Sequence, residues 1–299
     1  MPRVSKIKVY NNFLYYVSIF IVIFIILFIM TENDRKFNSS GSSVINPMHF
    51  YYVQIFPMPI VGLYNTFIRL TNPTHTHIFN VNDFNSNTIL KSNWKIIQKE
   101  ALNIYSNKNK LLNMKDIGVM GNFDGLDKES GKWKVFVLKW YNNTLENARK
   151  LCPETTRLID KCGDVHAAMF SIIEPGKYIP LHKGPSTACL RYHLGLKIPK
   201  DVENCYIIVN KQKYHWQEGE SFIFDDTYCH AVYNNTNEPR IILFVDIERP
   251  LPSPTKYLNN YLCKSVALTT FIKGVNDVSE KTLTLEEGMA TNTHHHFML

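Results

Sequence analysis

The feature that most constrains the fold of this chain is a succession of short β-rich runs that begins at Trp133. The runs are rich in β-branched and aromatic residues, and Pro, Gly or Asn turns divide them: WKVFVLKWY, AAMFSII, CYIIV, SFIFDD and RIILFVDI. Short runs of this kind are typical of strands, and no helical pattern separates them. The chain is therefore predicted to be mainly β, with a sandwich or jelly roll as its main domain.

Two histidines and one arginine stand at the edges of these predicted strands. His182 lies in the segment LHKGP, His230 ends the segment FDDTYCH 48 residues later, and Arg240 opens the run RIILFVDI. Two imidazoles suit the binding of a divalent iron. A guanidinium group suits the carboxylate of a co-substrate that chelates the same iron. The pattern indicates an iron site with a carboxylate-bearing co-substrate.

A purely structural role for these residues is the alternative. A histidine beside a proline is more often a core or surface residue than a ligand, although three histidines in one strand-rich block favour a site. Arg191 and Arg240 each lie in or at an apolar strand, where burying a guanidinium without an anion is costly. The anion is then either a ligand or a carboxylate of the chain, from Asp225, Asp226 or Asp246.

A 19-residue stretch without ionised side chains, 12–30, predicts a transmembrane helix or an uncleaved signal anchor. A cleaved signal peptide is the competing interpretation, but the stretch is longer than a usual signal core and no small-x-small cleavage site follows it. Three basic residues precede the stretch and two follow it, which weakly places the amino terminus in the cytoplasm. We therefore expect a single-pass membrane protein, and the side of its main domain stays open.

The rest of the chain divides by composition. A polar linker leads into the apolar, aromatic segment 49–70, which either lies on the membrane or packs on the main domain. A helix with Ser92 or Asn93 as its cap then begins the main domain. The predicted segments are a basic flank (1–11), the anchor (12–30), a linker with the membrane-proximal segment (31–90), the main domain (91–255) and a C-terminal extension (256–299).

Composition and cysteine spacing limit the partners. The net charge is +7, but no basic helix or basic and aromatic stripe provides a face for nucleic acid, so none is expected as a partner. The six cysteines are scattered, which makes a zinc site unexpected. Cys152 and Cys162 are close enough in sequence for a local disulfide, which depends on the side of the membrane.

Three longer runs, HKGPSTACLRYHLGL, WQEGESFIFDDTYCHAVYNNT and RIILFVDIERP, resemble the aspartyl/asparaginyl β-hydroxylase family of Fe(II)- and 2-oxoglutarate-dependent dioxygenases. Within the family, the resemblance is closest to the bacterial lipid A hydroxylase branch, which shares the membrane anchor, the chain length and phrases such as LCPETT and AMFSIIEPG. The resemblance covers roughly residues 90 to 252. It implies a double-stranded β-helix, a form of jelly roll, with flanking helices.

The resemblance also implies the site residues. His182 and His230 match the two iron-binding histidines, and Arg240 matches the arginine that pairs with the far carboxylate of 2-oxoglutarate. Most oxygenases of this fold add a carboxylate two residues after the first histidine. Gly184 stands there, and this family characteristically lacks that carboxylate. The further matches to the co-substrate pocket and active site are Ser171, Arg191, His193 and Trp133.

The function implied is hydroxylation of an unactivated C–H bond by O2, with 2-oxoglutarate converted to succinate and CO2. A lipid acyl chain and an Asp or Asn side chain of a protein are both open as substrates. The anchor and the segment 49–70 favour a membrane lipid or a membrane-proximal polypeptide as partner. A non-catalytic jelly roll that serves as a binding module is the alternative outside this chemistry.

Overall fold

The computed structural model describes residues 57–72, 76–114, 132–141, 143–184 and 186–266. The predicted anchor 12–30, the flank before it, the polar linker that follows it, residues 49–56 and the extension after residue 266 lie outside these ranges. None of the helices within them is both long enough and apolar enough to cross a bilayer. The chain divides into two units, Met1–Pro59 and Ile60–Leu299, and the elements discussed below lie in the second unit apart from the first three residues of its first helix.

Strands dominate the described residues from Trp133 to Glu248. Three short 3-10 turns add to the helices and strands, at Val81–Asp83, Lys108–Lys110 and Val202–Asn204. In chain order the elements are α1 (Pro57–Thr71), β1 (Ile78–Phe79), α2 (Asn85–Ser92), α3 (Trp94–Ser106), β2 (Leu112–Asn113), β3 (Trp133–Trp140), β4 (Asn143–Thr144), α4 (Glu146–Leu151), α5 (Pro153–Lys161), β5 (Val165–Ile173), β6 (Lys177–His182), β7 (Cys189–Lys197), β8 (Cys205–Val209), β9 (Gln212–His215), β10 (Ser221–Phe224), β11 (His230–Asn234), β12 (Arg240–Glu248) and α6 (Thr255–Val266).

The strands form two antiparallel sheets. The larger sheet has the order β1-β10-β7-β12-β5-β3-β2, with β4 paired to β3, and the smaller has the order β6-β11-β8-β9. From β5 onward the chain passes back and forth between the two sheets, which is the connectivity of a jelly roll. The prediction of a mainly β chain is confirmed.

The core is formed around the central strands of the larger sheet. Every residue of β5 is buried, and β12 pairs with β5 on one side and β7 on the other. Helices α3 and α5 pack on this sheet, so the central strands have apolar side chains on both faces. Continuous apolar runs such as AAMFSII therefore follow from burial on two sides.

Helix α3 begins where the sequence predicts a helix, at Trp94 after Asn93. Its buried residues Ile97, Ala101 and Ile104 recur at the helical spacing of one face. Asn93 makes no side-chain capping bond; its amide nitrogen instead donates to the carbonyl oxygen of Ile89 in α2 (2.8 Å). The prediction that Ser92 or Asn93 caps this helix is confirmed for Asn93 by its position, although its side chain bonds to the preceding helix and not to the first turn of α3.

Part of the segment 49–70 lies within the described residues, as helix α1. Ile68 is buried, and the hydroxyl of the buried Tyr64 donates to the side chain of Asn259 in α6. The side-chain oxygen of Asn65 accepts hydrogen bonds from the backbone nitrogen (2.8 Å) and hydroxyl (2.9 Å) of Thr187. Helix α1 thus packs on the loop between β6 and β7, which connects two strands of the candidate site.

Candidate active site

The two predicted metal-binding histidines face each other across two neighbouring strands. His182 ends β6, His230 begins β11, and antiparallel pairing places the two residues directly opposite each other. The centroids of their rings are 4.0 Å apart. Residues 48 positions apart in the sequence are therefore brought together by the register of the smaller sheet.

Backbone hydrogen bonds fix the tautomer of both rings. Nδ1 of His182 lies 2.8 Å from the carbonyl oxygen of Pro180, and Nδ1 of His230 lies 2.9 Å from that of Tyr228. A carbonyl oxygen only accepts, so each Nδ1 carries the proton and each Nε2 keeps its lone pair. This is the usual orientation of a histidine that binds a metal through Nε2.

Burial keeps the two imidazoles neutral. It lowers the pKa of His182, and it lowers the pKa of His230 to about 4, with the charge of His182 as a second cause. Neutral imidazole is the form that binds a metal ion. At neutral pH both rings are therefore ready to bind a metal without the loss of a proton.

Gly184 makes room for a carboxylate near His182. A Cβ atom at this position would lie 2.2 Å from Cγ and Oδ2 of Asp226, a distance that real Cβ atoms do not reach. The backbone nitrogen of Gly184 also donates to the carbonyl oxygen of Asp226 (2.7 Å). The position two residues after the first histidine thus carries no side chain because the side chain of Asp226 fills that space.

Arg240 is a buried cation that has no carboxylate beside it within the part of the chain that the structure describes. Only 2% of the residue is exposed. Its Nη1 makes a long contact of 3.5 Å with the carbonyl oxygen of Ser171, its guanidinium carbon lies 4.7 Å from the ring centroid of Trp216, and its Nε has no hydrogen-bond partner among the described residues. Burial lowers the pKa of Arg240 to about 10, so it stays charged at neutral pH.

His193 is a second donor without an acceptor, joined to Arg240 through Trp216. The indole nitrogen of Trp216 donates to Nδ1 of His193 (3.3 Å), so the neutral ring carries its proton on Nε2. Burial, followed by the charge of Arg240, lowers the pKa of His193 well below its usual value. Nε2 of His193 is buried and has no partner within the described ranges. Nε2 of His193 and Nε of Arg240 are therefore two buried donors without an acceptor among the described residues.

Aromatic rings connect these donors to the histidine pair. The ring of Phe224 lies 5.2 Å from that of His193 and 5.5 Å from that of His230. On another side, the indole nitrogen of Trp133 donates to the hydroxyl of Ser171 (3.2 Å). The larger sheet thus brings together four side chains of the predicted site: Trp133, Ser171, His193 and Arg240. The ring of Phe224 lies between His193 and His230.

Arg191 has a different environment. Its guanidinium donates to Asp226 (2.5 Å) and to Asp246, and it lies 4.2 Å from the ring centroid of Phe244. Burial, opposed by Arg191 and assisted by Asp226, raises the pKa of Asp246 to about 6. The structural ion pair that the sequence left open is found here. A direct role of Arg191 toward the co-substrate stays a prediction.

Sequence reasoning missed Trp216 and left the role of Asp226 undecided. Trp216 stands in the polar stretch YHWQEGE, where nothing signals a buried ring. The sequence offers Asp225, Asp226 and Asp246 as possible partners of a buried arginine. In the structure Asp226 pairs with Arg191, whereas Asp225 pairs with Arg249 at 2.5 Å. The signal that could have singled out Asp226 is Gly184, whose missing side chain implies a close neighbour.

A cavity of about 400 Å³ lies along the chain segments that adjoin the two histidines, although neither His182 nor His230 lines it. Lys183, which directly follows His182, and Tyr228 and Cys229, which directly precede His230, form part of its wall. Side chains of helix α1 form another part of its wall. The lining residues are Ile68, Arg69, Asn72, Lys183, Thr187, Asn210, Lys211, Asp225, Thr227, Tyr228, Cys229 and Arg249.

Comparisons with known proteins agree with this geometry. An ornithine lipid ester-linked acyl 2-hydroxylase of Rhizobium tropici is 43% identical over 142 residues, which cover 48% of this chain and 50% of that protein. The aspartyl/asparaginyl beta-hydroxylase of Homo sapiens is 33% identical over 170 residues, covering 55% of this chain and 21% of that protein. The chain therefore spans about half or less of the length of these relatives.

One solved structure shows a partial likeness to this chain. A cupin domain of Schizosaccharomyces pombe matches 40% of this chain and 66% of that domain, with 12% identity and a TM-score of 0.28. The family model described as aspartyl/asparaginyl beta-hydroxylase matches residues 91–250, more than half of the 299 residues. That match includes both facing histidines and the buried arginine, and the chain belongs to the aspartyl/asparaginyl β-hydroxylase family.

Proposed function

We propose that this protein is an Fe(II)- and 2-oxoglutarate-dependent dioxygenase that hydroxylates an unactivated C–H bond. The observation that carries the proposal is the pair of buried donors without an acceptor, on Arg240 and His193, close to two imidazoles with free Nε2 lone pairs. A dianionic ligand that also binds the metal would satisfy both features. We extend the proposal to the fold, with β5 to β12 as the eight strands of a double-stranded β-helix.

His182 and His230 would hold the iron. Both rings are neutral, both are oriented by backbone carbonyls, and a two-histidine ligand set leaves most positions of an octahedral iron open. Asp226 lies beside Gly184, where other oxygenases of this fold place a carboxylate ligand. Its pairing with Arg191 holds that carboxylate in place and balances its charge.

Arg240 would bind the far carboxylate of 2-oxoglutarate. An anion beside this buried guanidinium would repay the cost of its burial, and Nε2–H of His193 provides a further donor for an oxygen of the co-substrate. Ser171 and Trp133 contact each other at the same wall and would complete the pocket. Because these groups come from β3, β5, β7 and β12 of one sheet, the site is rigid before the ligand arrives.

When bound, the iron and 2-oxoglutarate would activate O2 and oxidise the C–H bond, with succinate and CO2 as products. The residues of the chain orient the two ligands and keep water away. The rings of Trp216, Phe222, Phe224 and Phe244 surround His193 at 5.2 to 6.2 Å, so this wall of the co-substrate pocket is aromatic. Exclusion of water strengthens each electrostatic contact inside the pocket.

We propose a membrane-associated substrate, and a lipid acyl chain in particular. The support is the relative named as an acyl 2-hydroxylase of a lipid, the predicted anchor 12–30 and the cavity along the segments that adjoin the histidines. Arg69, Lys183 and Lys211 line the cavity, so its mouth offers positive charge to an anionic headgroup. Hydroxylation of Asp or Asn side chains is the second candidate, favoured by the relatives named for that activity.

The metal and co-substrate are tested by absorption spectroscopy. Anaerobic addition of Fe(II) and 2-oxoglutarate to the intact protein is expected to give the weak visible charge-transfer band of a chelated 2-oxo acid. His182→Ala and His230→Ala should each remove the band or reduce it strongly, whereas His215→Ala, at the edge of the smaller sheet, should keep it. A band of the same intensity in both site variants would reject the metal assignment and favour the non-catalytic binding module.

The substrate is tested with Fe(II), 2-oxoglutarate, O2 and separate lipid and peptide extracts. Mass spectrometry is expected to find a gain of one oxygen in a lipid acyl chain, together with succinate. Succinate formation that only Asp- or Asn-containing peptides stimulate would reject the lipid and support the protein hydroxylase. Membrane attachment is tested by fractionation, and protease digestion of sealed vesicles then reports on which side the catalytic domain lies.

A further inference from the structure

A second group of metal-binding side chains lies apart from the histidine pair. The ligand atoms of His166, Cys189 and Cys263 are all within 4.8 Å of one another. His166 comes from β5, Cys189 begins β7 and Cys263 lies in α6, so three separate elements meet at this point. His166 and Cys263 are buried, and both cysteines are free thiols.

The spacing of these three groups fits a tetrahedral metal. Zn–S bonds of about 2.3 Å and Zn–N bonds of about 2.0 Å set the distances between ligand atoms at about 3.5 to 3.8 Å. An upper limit of 4.8 Å therefore requires a contraction of about 1 Å or less, which rotation of side chains provides. The two sulfur atoms are among these ligand atoms and therefore lie within 4.8 Å of each other.

The donor set decides which metal fits. Thiolate ligands disfavour Mg²⁺ and Ca²⁺, which prefer oxygen, and suit Zn²⁺ or Cu⁺. Two thiolates and a neutral imidazole around Zn²⁺ have a net charge of zero, whereas the same ligands around Cu⁺ leave a buried negative charge. Burial of a net charge is costly, so the charge balance favours zinc.

We propose that His166, Cys189 and Cys263 form a zinc site that fastens helix α6 to the larger sheet. A fourth ligand would be water or a nearby hydroxyl. Tyr64 and Tyr141 are both close enough to interact electrostatically with the two thiols. The three ligands are far apart in the sequence, and that is why cysteine spacing alone makes a zinc site unexpected.

The site would stabilise more than one helix. Asn259 of α6 donates to the carbonyl oxygen of Ala188 (3.1 Å), the residue before Cys189, and accepts from Tyr64 of α1. Helix α1 in turn supplies Ile68 and Arg69 to the wall of the cavity along the segments that adjoin the histidine pair. A metal at His166, Cys189 and Cys263 therefore would fix the helices that border the proposed substrate cavity.

Cobalt substitution tests the proposal directly. The intact protein is stripped of metal, kept reduced and titrated with Co²⁺, which reports thiolate ligands through an intense sulfur-to-cobalt charge-transfer band. The histidine pair has no sulfur ligand and contributes nothing to that band. We expect one equivalent of Co²⁺ to give the band and Zn²⁺ to abolish it by displacement.

Variants then assign the ligands. Cys189→Ser and Cys263→Ser should lose the band, His166→Asn should weaken metal binding about tenfold or more, and Cys162→Ala, a buried cysteine outside the group, should keep both. Circular dichroism shows whether each variant is folded. If a variant does not fold, the Co²⁺ titration of the wild-type protein still tests the proposal. Absence of the band in the folded, reduced wild-type protein would overturn the proposal. So would a band that survives both serine variants, or a Cys189–Cys263 disulfide in protein purified without reductant that still binds no zinc once reduced.

Discussion

Arg191, which is largely buried, and Arg240, which is fully buried, lie on neighbouring strands of the same sheet, and their surroundings are opposite. Arg191 donates to two carboxylates, Asp226 and Asp246, whereas Arg240 has a tryptophan ring and no carboxylate among the described residues. A charge that the fold neutralises serves the structure. A charge that the fold leaves without an anion lowers the stability of the protein. We infer that Arg240 is kept in spite of this cost because it binds an anionic ligand.

Replacement of each arginine by methionine should change the free energy of unfolding very differently at the two positions. Arg191→Met leaves two buried carboxylates without their cation, and we expect the free energy of unfolding to fall by about 3 to 5 kcal/mol. Arg240→Met removes an uncompensated charge, so the free energy of unfolding should stay the same or rise by about 1 kcal/mol. Urea denaturation at pH 7 measures both. Arg157→Met, which removes a surface pair with Glu154, is the control and should change stability by about 0.5 kcal/mol or less.

Equal losses of stability in Arg191→Met and Arg240→Met would contradict the comparison. That result would mean that Arg240 has a partner in solution that neutralises it, and the pocket would then not be an empty anion site.

Co-substrate affinity should show the reverse order. Arg240→Met removes the cation that would pair with the far carboxylate, and the affinity for 2-oxoglutarate should fall by about 100-fold, or about 3 kcal/mol. Calorimetric titration in the presence of a redox-inert metal measures this change. Arg240→Lys keeps the charge but not the planar fork of donors, so it should restore only part of the affinity. An affinity within twofold of the wild type in Arg240→Met would remove Arg240 from the co-substrate site.

Acid should weaken the histidine pair. The pKa of His230 is about 4 in the folded protein and about 6.5 in an unfolded chain, so between these values the unfolded chain binds a proton that the folded chain does not. Stability should therefore fall as the pH falls, by about 2 kcal/mol between pH 8 and pH 5 from this residue. Denaturation curves of the metal-free His230→Asn variant should lack that part of the pH dependence. A curve parallel to the wild type would show that His230 titrates normally.

The Arg191 cluster should respond to acid with the opposite sign. Burial raises the pKa of Asp246 to about 6, above the value of about 3.9 in an unfolded chain, so the folded protein takes up a proton first as the pH falls. This residue should add about 1 kcal/mol of stability between pH 8 and pH 5. Asp246→Asn should thus make the acid loss steeper than in the wild type. A shallower loss in this variant would show that Arg191 holds the pKa of Asp246 at or below its usual value.

The sequence predicts much of the fold because burial imposes a pattern on it. Strands such as β5 and β12 are covered on both faces, and their apolar runs follow directly from that. The pairing of His182 with His230 is not readable in the same way, since it depends on the register between β6 and β11. The resemblance to a family supplied their roles, and the structure supplied their proximity.

Other parts of the site depend on contacts between residues far apart in the chain. Three aspartates were open as partners of two arginines, and only packing assigns two of them to Arg191 and one to Arg249. Trp216 stands in a polar stretch, and its burial follows from the position of Arg240 and His193 beneath it. The sequence alone does not say which aspartate pairs with which arginine or whether Trp216 is buried, because the energy of each contact depends on the residues that surround it in the fold.

The close approach of Gly184 to Asp226 has an evolutionary consequence. A side chain at position 184 would require Asp226 to move, since a Cβ atom there would lie 2.2 Å from its carboxylate. Removal of Asp226 first would free the space but take a partner from Arg191. Either single change therefore disturbs a contact of the present site, and a carboxylate at position 184 would need a compensating change at position 226.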